Sequence, residues 1–234
     1  MVRTTGVTMM GELSALIAHE VNQPLAAIVA NGDQCLRLLE RQAPDLSELQ
    51  EALVDIVGDG NRASSMISRI RALLSKGTPD WTELNIHELI KGAVSFVQGE
   101  LDNNNVDLQI ECDTDLPSLF GDRAQLQQVL INVLMNGIEA MRTTLDRPRQ
   151  FIIKSAMVAE GVRIQVRDSG PGFESGTADR LFEPFYTTKP EGIGLGLSIS
   201  RSIIESHGGH LQAIPVRDGA LFEFTVPAGV REDR

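Results

Sequence analysis

Apolar positions open the chain in a helical period. Ile17, Val21, Leu25, Ile28, Gly32, Cys35 and Leu39 step by three and four, which lays one stripe along one face of a helix. The run Gln42-Ala43-Pro44-Asp45-Leu46-Ser47 then breaks the pattern as a turn. Ser47 with Gln50 three residues later has the form of a capping box, so a second helix is expected to start there. That helix carries Leu49, Leu53, Ile56, Gly60, Ala63, Ile67, Ile70 and Leu74 in strict alternation of four and three, the spacing of a coiled-coil seam. Two long helices joined by a short turn make an antiparallel hairpin, and one hairpin alone leaves much apolar surface wet. Pairing two hairpins into a four-helix bundle removes it, so a homodimer is expected.

Lys76-Gly77-Thr78-Pro79-Asp80 ends the helical period and reads as a linker, dividing the chain into residues 1–78 and 79–234. Beyond it the period alternates. Helices are expected near 86–102, from Asp122 to Met141, and up to His207. Strands are expected at Val106–Cys112, near Leu119, at Phe151–Val158, Val162–Arg167, His210–Val216 and Ala220–Val226. This predicts an α+β chain: a helical hairpin, then an α/β sandwich in which a mixed sheet carries helices on one face.

Composition narrows the function. A hydrophobic share of 42% is ordinary for a globular chain and supplies a core, while a formal charge of −11 argues against a nucleic-acid surface. No apolar run is long enough to cross a bilayer, and the chain reads as cytoplasmic. Cys35 and Cys112 lack a CxxC partner and read as small core residues.

Four features carry chemistry. Asn132 and Asn136 share a helix face, and an amide oxygen is a hard, neutral ligand suited to Mg2+. Asp168 opens Ser169-Gly170-Pro171-Gly172. That composition makes an ordinary turn, but its carboxylate can also accept the exocyclic amino group of adenine while Gly170 and Gly172 let the ring approach. Guanine presents a carbonyl there, so adenine is preferred. Gly192, Gly194 and Gly196 lead into a helix and offer backbone N–H groups to phosphate. Residues 173–191 between the glycine blocks read as a lid anchored by Phe182 and Phe185, with Lys189 as a phosphate partner.

Of four histidines, three have structural explanations: His87 begins a helix, His207 sits in a last helical turn where a cation is favoured, and His210 follows the Gly208-Gly209 stop. His19 points away from the seam, and its neutral imidazole is nucleophilic near neutral pH. Glu20 can orient that ring and take its proton, and Pro24 should bend the helix beside it. Gln23, one turn after His19, can orient a water, with Asn22 as its neighbouring rival.

The blocks HEVNQP, NVLMNGIEA, DSGPG, LFEPFYTTK and GIGLGLS stand in one order along nearly the whole chain. Together they resemble the catalytic core of two-component sensor histidine kinases, and HEVNQPLAAI is most similar to the oxygen- and dicarboxylate-sensing kinds. The resemblance implies a Bergerat-type ATP-binding domain, ATP and Mg2+ as cofactors and Asn136 as the metal-binding asparagine. It also implies His19 as the phospho-acceptor and an aspartate on a response-regulator receiver domain as the next acceptor. Where related gyrase and Hsp90 ATPases carry a water-activating glutamate, this chain has Asn132, which cannot accept a proton. That and the HEVNQP helix count against a simple ATPase. A non-catalytic scaffold would need a damaged site, and every expected site residue is present. The family usually has alanine where this chain has Gly137, which reads as a tolerated departure giving a softer site.

Overall fold

The structure, a computed structural model, describes residues 22–41, 45–74, 80–189 and 194–229, with backbone only at 61–62 and 64–74. It divides into two compact units, Met1–Lys76 and Gly77–Arg234.

In the first unit, helix α1 is described over 22–39 and helix α2 spans Leu46–Leu74. Asp45, not Ser47, caps α2: its Oδ1 accepts from the Ser47 and Glu48 amides at 2.9 and 3.3 Å. A carboxylate one residue before the helix meets two of its free first-turn amides directly, and with the helix begun at Leu46 the Gln50 amide is already inside it, beyond the reach of a cap at Ser47. Gln34 Nε2 donates to Glu48 Oε1 at 3.2 Å, which ties the ends of the hairpin. The buried stripe also differs from the expected one. It runs through Cys35 and Leu38 on α1 and through Ala52, Asp59 and Ala63 on α2, while Leu39 and Leu53 are exposed. Small residues let two helices approach closely, so Ala52 fills the place the heptad reading gave to Leu53.

The second unit is built on a five-stranded sheet in the order β2-β4-β5-β7-β6, with β2 Val106–Cys112, β4 Arg149–Val158, β5 Gly161–Asp168, β6 His210–Val216 and β7 Gly219–Val226. β2 and β4 are parallel and every other neighbour is antiparallel. Alternation follows the pleat: Phe151, Ile153, Val162, Ile164, Val166, Leu211, Phe222 and Phe224 are buried on one face. The other face carries polar pairs such as Lys154–Glu111 at 2.7 Å and Gln212–Glu223 at 2.8 Å.

Three helices cover the apolar face: α3 Ile86–Asn103, α4 Arg123–Met141 and α5 Gly196–Ser206. Asp122 caps α4 as expected, accepting from Gln125 N–H at 3.0 Å, and Leu126, Val129, Leu130, Val133 and Leu134 turn inward. Each fully buried side chain of this kind contributes roughly 1.5–3 kcal/mol. α5 ends in a Schellman turn, with Gly208 at φ 75° and the Gly209 amide on the Ile204 carbonyl.

A short strand absent from the sequence reading, β1 Trp81–Leu84, pairs antiparallel with β3 Leu119–Asp122. His207 lies beneath this pair and is not a surface cation. It is buried, its ring centroid is 4.7 Å from that of Trp81, and its Nε2 accepts from the Asp122 amide at 3.0 Å. The other ring nitrogen donates to the Ile203 carbonyl at 2.8 Å. A backbone amide only donates and a carbonyl only accepts, so the ring is the neutral Nδ1–H tautomer. Burial pushes its pKa down.

Candidate functional site

Helix α4 and the start of α5 meet at the asparagines. Asn132 is buried, and both ends of its amide are engaged. Oδ1 accepts from Gln128 at 2.8 Å, and Nδ2 donates to the Gly196 carbonyl and Ser200 Oγ, each at 3.3 Å. Its contacts therefore fix the first turn of α5 against α4. A Cβ on Gly196 would stand 3.8 Å from Asn132 Cγ and 4.0 Å from Asn136 Nδ2, so the helix entry lies against both asparagines. The amides of that first turn have no partner within the helix and are available to phosphate oxygens.

Asn136, one turn along, turns its Oδ1 toward a cation. Lys189 Nζ donates to it at 3.2 Å and pairs with Glu139 Oε2 at 2.5 Å. An amide oxygen is a hard, neutral ligand, and this one faces a cation, so the residue's chemistry fits Mg2+.

Asp168 ends β5 with its carboxylate buried. Oδ1 accepts two backbone amides, Gly170 at 2.9 Å and Ala220 at 3.2 Å, and Oδ2 takes neither. Burial raises the carboxyl pKa above its usual value, and the two amides and the nearby Arg167 and Lys189 oppose that rise. The glycines are set by space. A Cβ on Gly170 would lie 2.9 Å from Asp168 Oδ1. Gly172, at φ 72°, would place one 2.5 Å from the Gly219 carbonyl.

Gly137 is more than a tolerated departure. A Cβ there would fall 2.6 Å from the Phe151 ring and 3.3 Å from Asp168 Cβ, so the ring occupies the room an alanine would need.

The lid departs from expectation at one anchor. Phe182 is buried beneath Arg201, whose guanidinium lies 3.8 Å from the ring centroid. Phe185 is 44% exposed. Its backbone is left-handed, φ 68°, and its amide bonds the Gly194 carbonyl at 3.0 Å, so the chain turns here and leaves the ring outside. Gly194 is itself left-handed, φ 69°, two residues before α5 begins at Gly196.

The structure thus brings Asn132, Asn136, Lys189 and Gly196 together where α4 meets α5, and Asp168, Gly170 and Gly172 together in one turn beside α4. His19, Glu20 and Gly192 lie outside the described residues. Asn22 and Gln23 are exposed on α1 of the first unit. Sequence reasoning missed Gln128, Glu139, Ser200 and Arg147. The first three sit one helical turn from named residues, which is the signal that could have found them. Arg147 lies within Asp146-Arg147-Pro148, where no motif singles it out.

A sheet with three helices on one face, an asparagine helix, a buried aspartate turn and a glycine-led helix define a Bergerat-type ATP-binding domain. Residues 121–230 match the family described as "Histidine kinase-, DNA gyrase B-, and HSP90-like ATPase", and residues 9–78 match "His Kinase A (phospho-acceptor) domain". The chain is 36% identical over 93% of its length to the sensor histidine kinase TmoS of Ectopseudomonas mendocina. It is 34% identical over 96% to the C4-dicarboxylate transport sensor protein DctS of Rhodobacter capsulatus. It spans 23% and 34% of those two proteins. The catalytic domain of the histidine kinase ThkA superposes with a TM-score of 0.57 at 36% identity, covering 63% of this chain and 95% of that one. ThkA in complex with response regulator protein TrrA gives a TM-score of 0.68 at 29% identity, over 99% of this chain and 66% of that one. The chain belongs to the sensor histidine kinases. No helix among the described residues is long and apolar enough to cross a membrane.

Proposed function

We propose that this chain is the transmitter core of a cytoplasmic protein-histidine kinase, residues 1–78 receiving the phosphoryl group and residues 79–234 binding ATP. The observation that carries the nucleotide half is the convergence of Asn136, Lys189 and the α5 entry at Gly196 on one side of α4. Asp168 Oδ2 accepts the adenine amino group, and the α5 amides with Gly192 and Gly194 take phosphate oxygens. Asn136 holds Mg2+, which when bound screens phosphate charge. Lys189 leaves Asn136 Oδ1 for the phosphates. Asn132, committed to Ser200 and Gly196, offers no base for water, so the γ-phosphoryl group is kept for another nucleophile.

That nucleophile is His19. One imidazole nitrogen forms the N–P bond as the bond from γ-phosphorus to the bridging oxygen of ADP breaks, and the ring proton passes toward Glu20. The phosphoryl group then moves to an aspartate of a response-regulator receiver domain, breaking N–P and forming an acyl phosphate. The ThkA–TrrA complex supports a partner of that class. The exposed apolar stripes of the first unit, Leu25, Val29, Leu36 and Leu39 with Leu46, Leu53, Val54 and Val57, support a homodimer. In the reverse direction Gln23 orients water toward the phospho-aspartate, and Asn22 is the alternative.

The test is labelled ATP on wild type and His19→Ala. The wild type should carry an acid-labile, base-stable label, and the variant none, with ADP affinity within about twofold of wild type; label on the variant overturns the assignment. Asn136→Ala should weaken only the Mg2+-dependent part of binding, as calorimetry with and without the metal will read. Gln23→Ala should slow regulator dephosphorylation far more than autophosphorylation, and equal losses would leave Gln23 a helix residue only.

A further inference from the structure

Arg147 lies outside every motif of the chain, yet its guanidinium closes a ring of bonds around Asp168. Nε donates to the Ser169 carbonyl at 3.1 Å and Nη2 to the Gly170 carbonyl at 3.0 Å. Nη1 donates to Asp218 Oδ1 at 2.8 Å, in the turn between β6 and β7. That turn returns to the same aspartate: the Ala220 amide is on Asp168 Oδ1, and the Gly219 backbone is so close that a Cβ would meet the Asp168 carbonyl. Ser169 is pinned on its far side as well, its Oγ donating to the Pro148 carbonyl at 3.0 Å and accepting from the Gln150 amide at 2.9 Å.

We infer that Arg147 is a positioning residue for base recognition, clamping two successive carbonyls of the 168–172 turn to the β6–β7 turn. The Gly170 amide shares one peptide plane with the Ser169 carbonyl, so it donates to Asp168 Oδ1 only while that plane holds this orientation, and Arg147 Nε grips its carbonyl while Nη2 holds the next one. With both turns fixed, two amides hold Oδ1 and Oδ2 keeps one direction. The planar fork of arginine spans two carbonyls and a carboxylate at once. A lysine ammonium, a point charge on a flexible stem, does not. The inference rests on the assignment of Asp168 to adenine, and it adds a role for a residue that touches no nucleotide.

The experiment is calorimetric binding of ADP and GDP to the full chain, read as the ratio of the two affinities. General loosening of the fold lowers both affinities and leaves the ratio alone; loss of carboxylate direction lowers the ratio. Asp168→Asn should bring the ratio near one, and a ratio kept there removes the adenine assignment itself. Arg147→Lys should cut the ratio about tenfold, the loss expected when one well-aligned hydrogen bond to a charged acceptor is spoiled. A wild-type ratio in Arg147→Lys, with Asp168→Asn discrimination lost, overturns the clamp alone. Should Arg147→Lys fail to melt cooperatively, Asp218→Asn decides: its side chain is 60% exposed, so the fold tolerates the change. A fall of about threefold is expected there, and no change in the ratio overturns the inference.

Discussion

The two units meet the burial requirement in different ways. In the ATP-binding unit strands β4, β5 and β7 alternate, one face to the helices and one to water, and residues such as Leu126, Leu130, Ile164 and Phe224 end with almost no exposure. In the hairpin two apolar stripes lie one residue apart on α1: Cys35 and Leu38 are buried, while Leu25, Val29, Leu36 and Leu39 are not. Val54 and Val57 on α2 are each 63% exposed. The second unit covers its apolar face within one chain, and the first leaves an apolar stripe uncovered among its described residues, which is why charge should be tolerated so differently in the two.

The largest effect should follow from charging the uncovered stripe. Leu53→Asp with Val57→Asp puts two carboxylates on one face, and each would cost several kcal/mol if enclosed without a partner. Light scattering should show dimeric wild type and a monomeric variant, with ADP binding unchanged because the second unit holds that site alone. A variant of dimeric mass would place the interface elsewhere.

Next comes Asp168→Asn, where function and stability should part. Burial lifts the Asp168 pKa above 3.8, so the folded chain holds that proton more tightly and stability falls as pH rises through the raised value. The ionised carboxylate therefore costs stability near neutral pH, while an amide keeps an oxygen for the Gly170 and Ala220 amides. ADP affinity should drop roughly 10- to 100-fold, the worth of a charge-assisted hydrogen bond. The melting temperature at pH 7.5 should rise, and the gain should vanish below pH 3.8. A melting temperature lower than wild type at pH 7.5 would refute the trade.

How much of this was legible in the sequence depends on the range of the contact. Elements governed by local period and caps, such as α4 after Asp122 or β5 with Val162, Ile164 and Val166, could be read directly. The order of the motif blocks carried the site. What could not be read needed a third dimension. Leu38 replaces Leu39 because the sequence does not say which of two adjacent stripes turns inward. Strand β1 has four residues and stands only because β3 pairs with it. Phe185 faces out because Gly194, nine positions later, closes the loop. Gly137 was judged by helix propensity alone, and the ring that excludes a methyl there comes from β4.

Gly137→Ala tests that last point with a smaller effect. Helix propensity favours alanine by roughly 1 kcal/mol, but forcing a methyl into the Phe151 ring costs about 1–3 kcal/mol. Denaturant melts should show a net loss of up to roughly 2 kcal/mol. In the Phe151→Leu background the same substitution should become stabilising. Additive effects across the double-mutant cycle would mean the ring moves aside freely.

The smallest effect belongs to His207, which joins the end of α5 to the cap of α4. Its neutral Nε2 accepts the Asp122 amide, and protonation would set an N–H against an N–H. The folded-state pKa lies below 6.5, chiefly through burial and against the pull of Asp122, so the unfolded chain takes up the proton first. Stability is therefore full above pH 6.5 and declines as pH falls toward the depressed value. The loss should approach about 1 kcal/mol, the worth of one buried hydrogen bond. Trp81, the single tryptophan of the chain, lies tilted against the ring and reports the same event by fluorescence. In His207→Gln the amide oxygen can still accept and cannot titrate, so urea melts followed at Trp81 between pH 8 and pH 5.5 should lose most of their slope. A slope equal to wild type would assign this pH dependence to other groups and leave His207 neutral throughout.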